Sequence, residues 1–227
     1  MRDVGPLVRL AALAVLVLGL AGCDGARRAP APDPVPPTAR FAHDGPASVT
    51  LLTVKNAQAG MGDHAALLIE GSERVLYDPA GSFELPGVAR RNDVLFGISP
   101  DVEQIYLGYH ARATHDVVVR SLPLQRAEAD ALIAQVEARP PAQPGFCAIR
   151  AGSALRSVPG LEGLSSSPWP RALGQSLEAR PGVTKRRVTA TDVPVWARTR
   201  GPGFVADPGP ADLAPPASTV ATQAPAS

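Results

Sequence analysis

Alternation and periodicity of apolar residues divide the middle of this chain into strands followed by helices. Residues 48–55 (SVTLLTVK) form an apolar run rich in β-branched side chains and of strand length. Residues 64–69 (HAALLI) and 74–77 (RVLY) are two further apolar runs separated by Glu70-Gly71-Ser72-Glu73, the spacing of a hairpin with glycine in its turn. A turn centred near Gly71 places His64 across from Asp78, at the ~4.5–5.5 Å Cβ separation of cross-strand partners. Residues 78–82 (DPAGS) end this hairpin with strong turn chemistry, and a loop is expected over 82–103. Residues 104–109 (QIYLGY) and 116–121 (DVVVRS) read as a second antiparallel pair around the segment from His110 to His115. The period then changes. Ala129, Leu132, Ile133 and Val136 fall at i, i+3, i+4 and i+7 of a helix over 125–139, which Pro140, Pro141, Pro144 and Gly145 stop. Cys147, Ala151, Ala154, Leu155 and Val158 mark the inner face of a second helix, which begins at or just before Cys147 and ends by Pro159-Gly160. A third short helix is expected over 170–179, with Pro170 in its first turn and Leu173 and Leu177 inside. Residues 183–197 add a terminal strand. The pattern predicts an α+β fold, a small antiparallel sheet packed against two or three helices.

The flanks cannot build a core. Arg2 and Arg9 precede an apolar run over 10–20 that ends in Leu20-Ala21-Gly22-Cys23. This is a charged start, a short apolar stretch and a small-residue cleavage site. The run is about half of the ~20 residues that a bilayer-spanning helix needs. Residues 1–22 therefore read as a signal peptide. Leu-Ala-Gly-Cys resembles the bacterial lipobox, which implies that Cys23 is lipidated, with fatty acyl chains such as palmitate, and holds the protein to a bacterial membrane on the periplasmic side of the cell envelope. Several chains give firm attachment, at ~0.8 kcal/mol per buried CH₂. Residues 23–46 carry Pro30, Pro32, Pro34, Pro36, Pro37 and Pro46 and read as an extended spacer that lifts the domain off the membrane. Residues 47–200 are expected to be the folded domain, and the Pro- and Ala-rich residues 201–227 a disordered tail.

The 22 basic and 21 acidic residues give a net charge of +1, which argues against a nucleic-acid partner. Cysteine usage is more informative. With Cys23 lipidated, Cys147 has no intramolecular partner in an oxidising compartment, so its thiol is either buried and inert or reactive for a purpose. At a helix start it feels the positive end of the macrodipole, worth ~0.3–1 kcal/mol toward thiolate, and an imidazole adds more by taking the proton. His64 opens one hairpin strand and Asp78 closes the other. A carboxylate on the far ring nitrogen would fix the tautomer of a base serving Cys147, and N–H groups at the helix start could hold an oxyanion.

These elements resemble the circularly permuted NlpC/P60 branch of the papain-like superfamily. The resemblance is carried by HAALLIEGSERVLYDPAG, by the helix before the thiol, and by FCAIRAGSALRSVPG followed by SPWPRALGQSL, over residues 62–177. It implies a permuted papain-like domain in which His64 is the base, Asp78 the orienting residue and Cys147 the nucleophile. The implied function is a thiol hydrolase or acyltransferase acting on an amide or ester bond, in cell-wall peptides or in a lipid. A catalytically inactive lipoprotein that binds or scaffolds in the cell envelope is the alternative. The expected partners are membrane lipid, through acylated Cys23, and a peptidoglycan peptide or lipid substrate. No cofactor is expected. His110 and His115 read as loop histidines, either of which becomes the orienting residue if the hairpin register differs. A zinc site from His64, His110, His115 and Cys147 lacks the usual ligand spacing.

Overall fold

The computed structural model describes residues 33–60 and 62–200. The expected signal segment, Cys23 and the tail from 201 onward lie outside these residues. In chain order the elements are β1 (Ser48–Asn56), β2 (Gly62–Glu70), β3 (Arg74–Tyr77), β4 (Arg90–Arg91), β5 (Val94–Phe96), α1 (Pro100–His110), β6 (His115–Pro123), α2 (Arg126–Glu137), α3 (Cys147–Leu155), α4 (Pro170–Glu178), β7 (Thr184–Val188) and α5 (Val195–Arg198). A short 3₁₀ turn at Pro37–Ala39 precedes them. The fold is α+β.

The strands form one seven-stranded antiparallel sheet in the order β4-β5-β3-β2-β1-β6-β7. It is larger than the small sheet expected, and five helices among the described residues replace the two or three. The reason is visible along β1 and β2. Successive strand side chains point to opposite faces, and here both faces are covered. Val49, Leu51, Leu67, Ile69, Val75 and Tyr77 pack with α2, α3 and α4 on one face. Leu52, Ala66, Leu68, Leu76 and Leu95 pack with Ile105 and Leu107 of α1 and Ala197 of α5 on the other. Strands buried on both sides read as unbroken apolar runs rather than as alternation.

The element α1 corrects the reading of 104–109 as a strand. Ser99 caps the helix by accepting from the Val102 N–H at 3.3 Å, Pro100 occupies the first turn, and Asp101 and Glu103 meet the positive end of the dipole. The apolar run Ile105-Tyr106-Leu107 is buried against the sheet, and a run that short carries no period of its own. The expected loop over 82–103 holds β4 and β5 as well as the start of α1, and Phe83 within it is fully buried. The terminal strand is confined to β7, with α5 following.

The spacer also departs from expectation from Asp33 on. Val35 is buried in the helix-side core, and Arg40 reaches Glu73 and Glu137, the latter at 3.0 Å. His43 N–H donates to the Ser72 carbonyl, and Arg74 N–H donates to the Phe41 carbonyl. Arg126 adds side-chain bonds to the carbonyls of His43, Gly45 and Gly71. One buried valine, one arginine between two carboxylates and these bonds to the backbone dock a segment otherwise poor in apolar residues. Arg40→Ala should release residues 33–42 from the domain and cost about 1–2 kcal/mol. Amide hydrogen exchange of this segment, with urea unfolding, checks both effects.

Candidate active site

The hairpin of β2 and β3 places the first two candidate residues. Leu67 lies opposite Tyr77 and Glu70 opposite Arg74, so the turn is centred on Ser72, one residue beyond the expected Gly71. Moving the centre by one residue moves each partner by two. Ala66 rather than His64 is then level with Asp78, yet His64 keeps the same face and becomes a diagonal neighbour within reach. The contact forms: His64 Nε2 lies 2.6 Å from Asp78 Oδ1. Between β1 and β2 the register shifts after Val54/Lys55, so Val54 faces His64 but Lys55 faces Gly62. An irregularity of this kind re-aims a side chain at a strand end.

Cys147 is the first residue of α3 and is buried, with 6 % exposure. Its helix packs on the sheet through Ala148, Ala151 and Leu155, which brings the thiol to the end of β2 just beyond the point where β3 stops. There it comes close enough to the His64 ring and to the backbone of Ala65 and Ala148 for all three to act on its charge. The structure therefore brings all three expected residues, Cys147, His64 and Asp78, into one connected set.

The electrostatics favour a charged pair. Burial pushes the Cys147 thiol up, but the His64 ring, its positive charge and the two backbone hydrogen bonds override this and bring it below the ordinary thiol value. Burial lowers His64, whereas the Asp78 carboxylate and Cys147 raise it, to about 10. Burial likewise pushes Asp78 up, and the His64 charge and hydrogen bond hold it below the usual carboxylate range. The arrangement is an imidazolium between a carboxylate and a thiol that is shifted toward its thiolate form. Thiolate is the nucleophilic form.

Three further residues support Asp78, and the sequence did not single them out for this role. Tyr106 donates to Asp78 Oδ1 at 2.9 Å from the buried face of α1. His110, one helical turn later, stacks on His64 with ring centroids 5.6 Å apart and touches Tyr106 edge to face at 4.6 Å. Burial and the His64 charge lower His110 to about 3, so it is neutral, and its buried Nε2 has no partner among the described residues. Gly81 is the third: a Cβ there would overlap the Asp78 carboxylate. Its neighbour Ala80 sits at φ 58°, a left-handed conformation that is strained for alanine. The Ser99-Pro100 start signal would have revealed Tyr106 and His110, because i and i+4 share a helix face. His115 is elsewhere, paired with Asp63 at 3.0 Å.

Two clefts of comparable size open on the surface, one of about 740 Å³ beside Arg40 and Glu137 and one of about 750 Å³ beside α4. Neither is lined by Cys147, His64 or Asp78. Phe146, directly before the thiol, and Trp169, directly before α4, are exposed at 48 % and 68 %. Comparison with protein-family models, with curated proteins and with solved structures found no match to this chain.

The alkylation rate of Cys147 by iodoacetamide should reach its plateau below pH ~8.5, the midpoint of an unperturbed thiol. In His64→Ala the burial penalty loses its main opponent, and the midpoint should move upward from the wild-type value. Gly81→Ala should displace the Asp78 carboxylate and lower stability by on the order of 2 kcal/mol. Thermal unfolding of that variant, with the same alkylation profile, measures the effect.

Proposed function

We propose that this protein is a membrane-tethered thiol hydrolase or acyltransferase of the cell envelope, of the permuted papain-like type, anchored by lipid on Cys23. The observation that carries this reading is the placement of His64 between a buried carboxylate and the thiol at a helix start. A structural cysteine needs neither partner, whereas a nucleophile needs a base and the base needs an orienting group.

In this mechanism the Cys147 thiolate attacks the carbonyl carbon of an amide or ester and forms a C–S bond. The imidazolium of His64 gives its proton to the leaving nitrogen or oxygen as the C–N or C–O bond breaks. A thioester on Cys147 remains. Water or an acceptor alcohol or amine then gives a proton to His64 and attacks the thioester, which releases the acyl product and returns the thiolate and imidazolium. Asp78 stays ionised and holds His64 through Nε2. The Ala65 and Ala148 N–H groups, which act on the sulfur in the free protein, are the donors this mechanism assigns to the negative charge that develops on the carbonyl oxygen.

A non-catalytic envelope module is the second reading. The burial of Cys147 and its absence from both clefts favour it.

Incubation with an activated ester separates the two. Mass spectrometry should find one acyl group on Cys147, none on Cys147→Ala, and acylation 10²–10⁴-fold slower in His64→Ala, as for loss of a general base. Equal acylation of the wild type and His64→Ala would leave the second reading standing.

A further inference from the structure

The cleft beside α4 carries a charge pattern that the thiol site does not use. Its lining includes Lys55, Arg120, Arg171, Lys185 and Arg187 with a single acidic residue, Glu178. Arg120 lies 3.1 Å and Lys185 2.6 Å from Glu178, and Arg187 pairs with Asp116 just outside the cleft. Five cations thus meet two carboxylates. Among the described residues no ion pair engages Lys55 or Arg171, in a chain whose overall charge is only +1.

The cleft is built into the fold. Arg120 is buried beneath α4, where it also reaches Thr53 at 3.5 Å. Gly174 makes room for it, because a Cβ there would come within 2.7 Å of the guanidinium. Glycine inside a helix costs about 1 kcal/mol relative to alanine, so this position is a place where the arginine is admitted at the expense of the helix. Gly62 at the other end lets the start of α4 approach the strand, since its Cβ would lie 2.9 Å from the Arg171 backbone nitrogen and from Pro170 Cβ. Lys185 and Arg187 stand on edge strand β7, where charges also guard against pairing with another chain. Lys55 and Arg171 stand on β1 and α4, away from that edge.

Position links the cleft to the thiol site. Gly62 in its wall is two residues before His64 on β2, a separation of ~7 Å at the rise of a strand. The helix that carries Cys147, α3, packs on the same face of the sheet as α4, which borders the cleft. Arg120 at the buried floor can be met by a slender extended chain but not by a flat lipid surface. Guanidinium groups fit carboxylates through paired hydrogen bonds.

We propose that the cleft binds the acidic part of a short peptide whose remaining residues run along the α4 side of the sheet toward Cys147. The proposal rests on the thiol-hydrolase reading for what happens to the bound peptide, but not for its binding. Long-range attraction by the excess cations is screened by salt, so affinity should fall as ionic strength rises.

Fluorescence anisotropy of a rhodamine-labelled tetraglutamate peptide with the full chain tests it, with a tetralysine peptide as control. Saturable binding of tetraglutamate alone is expected, unchanged in Cys147→Ala and weakened at least tenfold in the double variant Lys55→Gln/Arg171→Gln. Both substituted side chains are peripheral, and iodoacetamide alkylation of Cys147 in the double variant should match the wild type. Absence of saturable binding, or equal binding by the double variant, overturns the proposal. Cleft-dependent binding of inorganic phosphate or phosphatidylglycerol vesicles without binding of the peptide overturns it as well. If tetraglutamate binds as expected while Cys147 reacts as an ordinary thiol, the hydrolase reading fails and the binding site stands.

Discussion

A buried carboxylate that must stay ionised is the constraint around which this domain is organised. Asp78 is fully buried, and a carboxylate removed from water is retained only if positive charge or hydrogen-bond donors replace the solvent. His64 supplies the charge and Tyr106 a donor, while Gly81 leaves the space. Each comes from a different element, so sheet, helix and turn must all be in place before the charge is stabilised. Asp78 in turn keeps His64 protonated, and a protonated His64 draws the Cys147 thiol toward its ionised form against the opposing effect of burial. The chain of dependence runs from one carboxylate to the reactivity of a sulfur on the other side of the imidazole.

Much of this was legible in the sequence. The hairpin could be read because its two apolar runs are short and separated by a glycine-containing turn, and the His64–Asp78 contact survived an error in the turn centre because a two-residue displacement preserves the face. The three helices at 126–178 announced themselves by period and by proline stops. The misreading of 104–109 has a physical cause. The run between Gln104 and Tyr109 is too short to show a period, and the informative residues, Ser99 and Pro100, lie outside it. With α1 taken for a strand, Tyr106 and His110 could not be seen as neighbours of the site. The strands β4 and β5 are two and three residues long, below the length at which alternation can be recognised. Docking of residues 33–46 was hidden for another reason: it depends on single long-range contacts of Val35 and Arg40, and composition averages such contacts away.

The second face of the sheet gives α1 a role beyond packing. Phe83, Tyr106, Tyr109 and His110 form a cluster of edge-to-face aromatic contacts with ring centroids 4.6–5.4 Å apart. Such pairs add about 0.5–1.5 kcal/mol each beyond the area they bury. The cluster fixes the rings that border Asp78 and His64, so a neutral imidazole at His110 borders the charged one. Two histidines a few ångströms apart thereby differ strongly in proton affinity because the carboxylate bonds to only one of them.

The attachment of residues 33–46 has a mechanical consequence. Their backbone bonds land at Ser72, Glu73 and Arg74, on the turn of the hairpin whose open end holds His64 and Asp78. Tension from the amino-terminal side meets Asp33 on Arg91, Val35 in the core and Arg40 on Glu137 before it reaches that turn, and only then β2 and β3, which are strapped on both sides by β1 and β5. The ribbon that presents the imidazole and its carboxylate is thus shielded by these earlier contacts, and a pull from the amino-terminal side is spent on them before it reaches the contact between sulfur and ring.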